Sequence, residues 1–561
     1  MEEDPRGLLL VYALQNAVQH NSVPKAGTVL GTLLGKHPEY RSRIQEAKHL
    51  LAEVLAEVEG MPPAEREAML ARLAPDLLAP KAGKRPREQE LPPLENAEQG
   101  VVMRFAPNPS GPLHLGHARA AYLNDYYVRR YGGRYVLRIE DTDPRRVEEE
   151  NYGLLLDDID WLDLAVTEIV YQSDRMDIYY DYCRRLIELE GAYVCTCEAE
   201  LFRSLKLEKK ACPCRSQNVE ENLGLWDRML SGLFHEGMVT VRVRTDLAHP
   251  DPAMRDFSIF RIVDTPPHPR CEARVYPLMN FSVVVDDHLL GITHVIRGKD
   301  HIANTRRQQY IYDYFGWKPP YYLHYGRMSI EGVVLSTSAM KEGIREHRYT
   351  GWDDPHLGTL KAIARRGILP GAVRSAIIDI GVGETDISFS WENLYAKNKA
   401  LVDPDANRYF FVPQPVLCRV AGAGDQTAHA LLHPNHPERG SRDLAFRGGI
   451  YVSPDDVSGH ALVRLKDLFN VRIHEEKGTF RLEYAGDSLE EVRAARAPIV
   501  QWLPEETVVP CLLRKPEGDI PGLCEPAVAG EAGKVVQFER VGFVRIDSAG
   551  SEGVQAYYAH R

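Results

Sequence analysis

Two histidines stand three residues apart in the stretch RFAPNPSGPLHLGHARAAYLNDYYVRRYGG (104–133), where an amphipathic helix is about to begin. His114 and His117 can point the same way from the first turn of that helix. In a parallel sheet, the first turn from strand to helix is where phosphate groups meet a helix N-terminus. Two imidazoles that donate hydrogen bonds there would stabilise the charge that develops on a triphosphate during in-line displacement. The alternative is that a His-x-x-His pair merely caps or packs at the helix start.

Two glycines belong to the same turn. Gly111 frees the main chain to approach a ligand, and Gly116 leaves room for a flat base against the backbone. We therefore predict that this turn binds a nucleotide.

Four of the nine cysteines form the pattern C-x-C-x14-C-x-C, at Cys195, Cys197, Cys212 and Cys214. Nine cysteines in a chain of this length are too few for a disulfide scaffold. Paired thiolates can close a tetrahedral zinc site, although the common knuckles use C-x2-C. The pattern favours a structural zinc ion, with free cysteines or a redox disulfide as alternatives.

The elements around the histidines have the order of a βαβ unit. VVMRFA is a short apolar strand, the helix after the turn is stopped by Gly132 and Gly133, and RYVLRIE is a second strand. A further strand and helix follow at GITHVIRG and HIANTRRQQYIYDYFG. We expect two halves of one nucleotide-binding fold on either side of an inserted segment.

The rest of the chain divides by periodicity and turn composition. Helical periodicity precedes a polar, proline-bearing linker, and short β-type runs such as TFRLEY dominate after about residue 400. The predicted boundaries are a helical domain at 1–80, a linker at 81–100, the catalytic halves at 101–194 and 286–345, the insertion at 195–285, a helical connecting domain at 346–399 and a β region at 400–561.

Length and charge limit the class of protein. A chain of 561 residues exceeds the roughly 250 to 300 residues of a single core, so several domains are expected. The formal net charge is −12, yet nine Lys/Arg against five Asp/Glu between Arg297 and Arg348 make a local basic patch that permits polyanion binding. The acidic start and the lack of an apolar run near 20 residues predict a cytoplasmic protein without a membrane partner.

The motifs also resemble a known family. RFAPNPSGPLHLGH followed by LRIEDTDPRR resembles the signature of class I aminoacyl-tRNA synthetases of the glutamyl/glutaminyl branch, with residues 114–117 standing for the His-Ile-Gly-His motif. YPLMNFSVVVDDHLLGITHVIRGKDHIANTRRQ is similar to the second half of that core, and HYGRMSIEGVVLSTSAMKEGI lies where the class has its Lys-Met-Ser-Lys-Ser loop. KNKALVDPDANRYFFV looks like the entry to the anticodon-binding region of the archaeal/eukaryotic type. The first hundred residues have no strong match.

The resemblance implies both a fold and an activity. The fold is multidomain α/β: a Rossmann-type catalytic domain with an acceptor-end-binding insertion, an N-terminal helical domain and a C-terminal β-barrel anticodon-binding region. The activity is ATP- and Mg²⁺-dependent conversion of glutamate to glutamyl-adenylate, followed by transfer to the 3′-terminal adenosine of tRNA-Glu. Whether tRNA-Gln is also charged, and whether the N-terminal domain binds a protein or tRNA, stay open.

The resemblance also assigns site residues. It implies that Arg104 pairs with the side-chain carboxylate of the amino acid, that Glu140 holds its ammonium and that Arg297 lies nearby. Arg104 could alternatively be a structural residue at a strand end. The complete predicted sets are Arg104, Ala106, Asn108, Glu140, Tyr276 and Arg297 for the amino acid, Gly111, His114, Gly116, His117, Ser336 and Ser338 for ATP, and His114, His117, Ser338 and Lys341 for catalysis.

Two places depart from the family pattern. The loop at 335–339 keeps both serines but has Leu335 and Thr337 where the class has lysines, so Lys341 is predicted to substitute unless it is simply solvated. In the cysteine cluster Cys214 replaces a histidine of the family's zinc site, and the zinc would shape the insertion that grips the tRNA acceptor end.

Two rival functions remain at this point. RIEDTD resembles the glutamyl form, whereas glutaminyl enzymes tend to have Arg-Phe-Asp-Asp-Thr-Asn, which favours glutamate over glutamine. The lysine-poor loop motivates the other rival, a noncatalytic tRNA-binding scaffold that kept the fold.

Overall fold

The structure, a computed structural model, describes residues 4–20, 23–74, 90–476 and 479–561. It divides into two units, Met1–Glu88 and Gln89–Arg561. The first unit is helical, as predicted, and buries Leu9, Leu33 and Val54 in its core. Its helices are α1 (Pro5–His20), α2 (Ala26–Lys36), α3 (Ile44–Glu59) and α4 (Pro63–Leu73). The end of the predicted helical domain and the first part of the predicted linker, 75–89, lie outside the described residues.

The second unit begins with the first half of the nucleotide-binding fold. Its elements are β1 (Val102–Phe105), α5 (Leu115–Tyr131), β2 (Arg134–Ile139), α6 (Glu149–Trp161), β3 (Glu168–Tyr171) and α7 (Met176–Glu188). The three strands form a parallel sheet in the order β1-β2-β3, with Val102 opposite Arg134. Gly132 ends α5 at φ +61°, a conformation that favours glycine. The predicted βαβ unit is therefore present.

The insertion is a small antiparallel sheet with two helices. Its elements are β4 (Ala192–Cys195), α8 (Ala199–Leu207), α9 (Val219–Leu230), β5 (Thr240–Val243), β6 (Ser258–Ile262) and β7 (Val275–Pro277), with α10 (Met279–Leu289) following. The strand order is β4-β5-β6-β7. β4 begins at Ala192, three residues before the predicted start of the insertion at 195. The predicted end of the insertion, at 285, falls within α10.

The second half returns to the first sheet. It contains β8 (His294–Gly298), α11 (Ile302–Phe315) and β9 (Tyr321–Tyr325), and β8 pairs with β9 in parallel. Thr293 donates its main-chain N–H to the carbonyl oxygen of Val102 at 2.9 Å and accepts the N–H of Val102 on its hydroxyl at 2.9 Å. These bonds place β8 beside β1, so the two halves on either side of the insertion form one nucleotide-binding domain.

A helical segment connects this domain to the β region. Its elements are β10 (Met328–Ser329), α12 (Thr337–Arg345), α13 (Leu360–Arg365), α14 (Pro370–Ile380), β11 (Ile387–Ser388) and α15 (Trp391–Val402). Arg366 donates to the carbonyl oxygens of Tyr558 and Ala559 near the chain end, at 3.1 and 2.8 Å. The connecting helices thus contact the last strand of the chain.

The C-terminal region contains two curled seven-stranded sheets, which are half-barrels rather than one closed barrel, and a separate two-stranded antiparallel sheet formed by residues 426–431 and 441–446. Its elements are β12 (Arg408–Tyr409), β13 (Phe411–Pro413), β14 (Val416–Ala421), β15 (Gln426–Leu431), β16 (Ser441–Phe446), β17 (Gly449–Val452), α16 (Pro454–Val457), β18 (Leu462–Leu465), β19 (Asn470–Glu476), β20 (Thr479–Tyr484), α17 (Leu489–Ala495), β21 (Ile499–Val500), β22 (Leu503–Pro504), β23 (Val509–Arg514), β24 (Ile520–Cys524), β25 (Val535–Phe538), β26 (Gly542–Gly550) and β27 (Gly553–His560). One sheet has the order β21-β18-β19-β20-β14-β17-β22, and the other β12-β25-β26-β27-β23-β24-β13. The second sheet therefore combines the first and the last strands of the region.

Residues 90–100, predicted as part of the linker, instead pack on the catalytic domain. Leu91 and Leu94 are buried, and their N–H groups donate to the hydroxyls of Tyr126 and Tyr131, each at 3.1 Å. The proline-bearing composition predicted an exposed linker. Burial of the two leucine side chains against α5 removes apolar surface from water and so stabilises the packed arrangement.

A buried cluster of charges joins α10, which follows the insertion, to elements that precede the insertion. On α10, Asp286 accepts hydrogen bonds from the side chains of Gln172, Arg175 and Tyr179 at 2.8 to 2.9 Å, and all of these donors precede the insertion. Its neighbour Asp287 accepts from Arg138 of β2 at 2.5 Å. A buried carboxylate is tolerated only when it is paired and hydrogen-bonded in this way.

No helix among the described residues is long and apolar enough to cross a membrane.

We predict that Asp286→Ala lowers the free energy of unfolding by about 3 to 5 kcal/mol, because it leaves a partly buried guanidinium and two buried donors without their acceptor. Asp313→Ala is the control, since Asp313 is exposed on α11 and its carboxylate accepts a hydrogen bond from Gln309. Urea unfolding followed by tryptophan fluorescence measures both variants. Equal midpoints for the two would contradict the role of Asp286.

Candidate active site

The His-Leu-Gly-His turn starts α5 and is held by its own histidines. His114 is the N-cap residue, and its Nδ1 accepts the main-chain N–H of Gly116 at 3.0 Å. The Nδ1 of His117 accepts the main-chain N–H of His114 at 3.2 Å. The two rings stack with centroids 3.8 Å apart. The alternative interpretation of this motif, that the histidines cap the helix, therefore describes part of their role.

Both imidazoles are neutral at physiological pH. Burial lowers the pKa of His114 to about 4, and burial together with the neighbouring His114 lowers the pKa of His117 to about 3. A neutral imidazole carries one proton, and here Nδ1 is the acceptor in both rings. The proton therefore sits on Nε2, so that each ring keeps one N–H donor for a ligand.

The two glycines of the turn are explained by close neighbours. A Cβ at residue 116 would lie 2.8 and 2.9 Å from ring atoms of His114, so glycine makes room for the capping imidazole. A Cβ at residue 111 would lie 2.9 Å from Cγ2 of Thr337. Gly111 thus lets the loop that carries Thr337 approach the turn.

A cavity of about 240 Å³ opens beside the turn at the ends of β1, β2 and β8. Its lining includes six residues predicted for the site, namely Arg104, Ala106, Asn108, His117, Glu140 and Arg297. The sheet therefore brings together residues from both halves of the fold, and places one histidine of the turn among the predicted amino-acid contacts.

Two buried guanidinium groups give this cavity its positive charge. Arg104 lies with Nε 3.5 Å from Oδ1 of Asp287, and Arg297 donates to Thr305 and Gln308 at 2.5 and 2.9 Å. Burial, reinforced by the charge of Arg104, lowers the pKa of Arg297 to about 10. An anion between the two would relieve this repulsion. The geometry suits a small carboxylate ligand.

Glu140 supplies the opposite charge. It follows β2, is half-buried, and accepts from Arg138 at 3.0 Å. Asn108 donates to the carbonyl oxygen of Glu140 at 2.9 Å, while its own Oδ1 is buried and has no hydrogen-bond partner within the described parts of the chain. A ligand with an ammonium group as well as a carboxylate would be matched here.

Tyr276 is not part of the cavity lining. Its ring is buried in the core of the insertion, and its hydroxyl donates to the carbonyl oxygen of Ala273 at 2.6 Å. Met279, three residues on, lines the cavity instead. Because β7 ends at Pro277, the chain turns into α10 only after Tyr276, and the first helical residue is the one that reaches the site.

The nucleotide loop starts α12 close to the turn. Ser336 is the N-cap residue, and its hydroxyl accepts the N–H of Ala339 at 3.4 Å and lies 3.1 Å from the hydroxyl of Ser338. Lys341 donates to Glu148 at 2.5 Å. The loop thus lies against the His-Leu-Gly-His turn, with Thr337 next to Gly111. Lys341 forms an ion pair with Glu148, the residue before α6.

Sequence reasoning missed several residues that shape the cavity. Arg138 and Asp287 position the charges of the site, and His301 and Tyr325 line it. The pattern that could have identified Asp287 is the pair of adjacent aspartates in VVVDDH, since carboxylates within an apolar helix need charged or hydrogen-bonding partners. Nothing in the pattern distinguished Tyr325 from the other tyrosines.

The four cysteines of the C-x-C pairs meet at the end of β4. Their sulfur atoms all lie within 4.8 Å of one another, with Cys195 and Cys212 at 4.0 Å and Cys197 and Cys214 at 3.6 Å. These separations are too long for disulfide bonds. Four sulfurs around one zinc ion at about 2.3 Å stand about 3.8 Å apart, so the donor set fits a tetrahedral site.

Comparison with known families assigns nearly the whole second unit. Residues 100–404 match the model described as tRNA synthetases class I (E and Q), catalytic domain. Residues 406–484 and 499–547 match two models of the anticodon-binding domain of the same synthetases.

Similar proteins cover the full chain. The glutamate–tRNA ligase of Methanoculleus marisnigri is 65% identical over 561 residues, with 100% of both chains covered. That of Methanocaldococcus jannaschii is 47% identical over 557 residues, with 99% of both chains covered. A crystal structure of a glutamate tRNA ligase from Elizabethkingia meningosepticum is 23% identical and aligns over 54% of this chain and 69% of its own, with a TM-score of 0.39. On the match over residues 100–404 and on the identity to full-length relatives, the chain belongs to the class I tRNA synthetases of the E and Q branch.

Proposed function

We propose that this protein is a glutamate–tRNA ligase. The observation that carries the proposal is the cavity in which Arg104, Arg297 and Glu140 adjoin His117 of the nucleotide turn. The guanidinium groups suit the side-chain carboxylate of glutamate, and Glu140 suits its ammonium. The full-length relatives with this activity support the same substrate.

The reaction has two steps. An oxygen of the glutamate α-carboxylate attacks the α-phosphorus of ATP, which enters with its Mg²⁺, and pyrophosphate leaves. A ribose hydroxyl of the terminal adenosine of tRNA then attacks the carbonyl carbon of glutamyl-adenylate, and AMP leaves. Neither step needs a covalent bond to the enzyme, because positioning and electrostatic stabilisation lower the barrier.

The histidine pair would act on the phosphates as neutral donors. Both Nε2–H groups are free of the capping bonds that occupy Nδ1. A donor already aligned needs no reorganisation when charge builds up on the phosphate oxygens. His114 and His117 are therefore proposed as catalytic residues.

The loop serines and Lys341 would complete the triphosphate site. Ser336 and Ser338 present hydroxyls at the start of α12. With Leu335 and Thr337 in place of the family's lysines, Lys341 is proposed to exchange Glu148 for the phosphates when ATP binds. An exposed ion pair of this kind is weak, so the exchange costs little.

The zinc site is part of the proposal. Hydrogen bonding from Cys195 lowers the pKa of Cys212 to about 5, which favours the thiolate form that binds zinc. The four cysteines would hold the ion between β4 and the loop before α9, where it would crosslink the insertion that grips the acceptor end. Its role is structural, since four protein ligands leave no open position.

Three finer predictions gain no support from the relatives and remain predictions. They are glutamylation of tRNA-Gln, a protein partner for the helical unit, and a cytoplasmic location.

Charging assays test the function directly. Purified tRNA-Glu and tRNA-Gln transcripts are incubated with labelled glutamate or glutamine, ATP and Mg²⁺. We expect glutamate on tRNA-Glu, and the tRNA-Gln reaction decides discrimination. Glutamine alone would assign the glutaminyl branch, and intact tRNA binding without charging would assign the scaffold.

We predict that His114→Ala and His117→Ala each lower kcat by about 100-fold or more, because each loses a transition-state contact. His49→Ala, exposed on α3, should leave kcat unchanged. Steady-state charging at pH 7.5 measures the three variants. An increase in KM with normal kcat would contradict the proposed role.

We predict about one equivalent of zinc per chain by metal analysis, as expected for a closed structural site. Cys195→Ser and Cys214→Ser should lose the metal, whereas Cys271→Ser, outside the cluster, should keep it. Less than half an equivalent in the untreated protein would contradict the zinc site.

A further inference from the structure

Leu113, the residue before the His-Leu-Gly-His turn, has its main chain held from both sides. Its N–H donates to Oδ2 of Asp158 on α6 at 2.6 Å, and its carbonyl oxygen accepts the N–H of Leu360, the first residue of α13, at 2.9 Å. An N–H···O distance of 2.6 Å is shorter than the usual 2.9 to 3.0 Å and is typical of a charged acceptor. A side chain far along the sequence thus holds the entry to the turn.

The position of Leu113 decides where the histidines point. His114 follows directly, and its extended backbone sets the direction of its ring. The N–H of His114 in turn holds Nδ1 of His117. Leu113 is buried, so its N–H would lack a partner without Asp158, and the chain would have to shift to find one. A shift at residue 113 would turn both imidazoles away from the phosphates.

Asp158 is buried without an ion pair among the described residues. It lines a cavity of about 750 Å³ between α6, α13 and the C-terminal sheet. The charged groups that face it there are Asp157 of its own helix, Lys361 and Arg365 of α13, Asp353 of the preceding loop, and Arg545 and Asp547 of β26. Each of these cations is already paired with another carboxylate: Lys361 with Asp157, Arg365 with Asp353 and Asp547, and Arg545 with Asp547.

We propose that Asp158 is a positioning residue for glutamate activation: by holding the main-chain N–H of Leu113, it aims the Nε2–H groups of His114 and His117 at the triphosphate. The inference rests on the proposed function, and it concerns a residue that does not touch the substrate.

The isolation of Asp158 has a pH consequence. Burial raises its pKa to about 7, although the N–H of Leu113 and the charge of Lys361 oppose the rise and Asp157 adds to it. The strong bond of a carboxylate to Leu113 therefore weakens as the pH falls through about 7. The raised pKa also means that the folded protein binds this proton more tightly than the unfolded chain does, so this group's contribution to stability is greatest at low pH and is lost as the pH rises through about 7.

Asp158→Asn separates positioning from plain stability. The amide keeps an oxygen to accept from Leu113 but removes the buried charge. At pH 8 we expect a higher Tm than wild type, and kcat lower by about 10-fold as the turn loses its charged anchor. A residue with only a structural role would not gain stability and lose kcat together.

The experiment measures charging, and ATP–pyrophosphate exchange in the presence of tRNA, from pH 6 to 9 and well below the Tm of each variant. Wild type should lose kcat as the pH falls through about 7, and Asp158→Asn should lack that step while KM for ATP and glutamate stays near the wild-type value. Asp157→Asn is the matched control, because Asp157 is the adjacent exposed acid and pairs with Lys361 at 2.9 Å. It should keep the wild-type kcat and pH profile.

Two results would overturn the inference. One is an Asp158→Asn protein with the kcat and the pH step of wild type. The other is a variant in which Tm and kcat fall together while the pH step remains. A wild-type protein that charges no tRNA would instead refute the proposed function, so the two failures are distinguishable.

Discussion

The site depends on two adjacent carboxylates, Asp286 and Asp287, buried in the last turn of α10. Their charge is costly to bury, and the structure offsets it with guanidinium groups of Arg138 and Arg175, which both precede the insertion. Asp287 faces Arg138 and Arg104, and so fixes the groups that are proposed to recognise the amino acid. The same pairing that lets α10 be buried therefore also orders the recognition cavity.

The fold was largely predictable because its periodicities are clear. The strand, turn, helix and glycine stop around the histidines were identified with boundaries close to those observed, since Gly132 can end a helix in a conformation that other residues avoid. The β region was predicted by composition, but its division into two half-barrels was not. Pairing between strands more than a hundred residues apart leaves no local pattern in the sequence.

Site residues could be predicted where their own side chains face the cavity. Residues that position another group were harder to predict. Arg104, Glu140 and Arg297 could be named from motifs, and the structure brings them to one cavity. Tyr276 does not line the cavity because it lies in β7, whereas Met279, the first residue of α10, does line it. Asp158 was missed altogether, since in LLLDDIDW it looks like one more acid on a helix surface, and only the tertiary structure shows its contact with Leu113.

The strand order of the C-terminal region has a consequence for synthesis of the chain. β12 and β13 leave the ribosome before any strand of the sheet formed by β14 and β17–β22. Their own partners, β25 and β24, are more than a hundred residues further along the chain. At roughly 5 to 20 residues per second, these two strands wait on the order of 10 s with unpaired edges. The half-barrel inserted between them can fold during this delay, and its termini then hold β13 and β23 close together. Translation order would thus favour folding of the sheet formed by β14 and β17–β22 before folding of the sheet that contains β12, β13 and β23–β27.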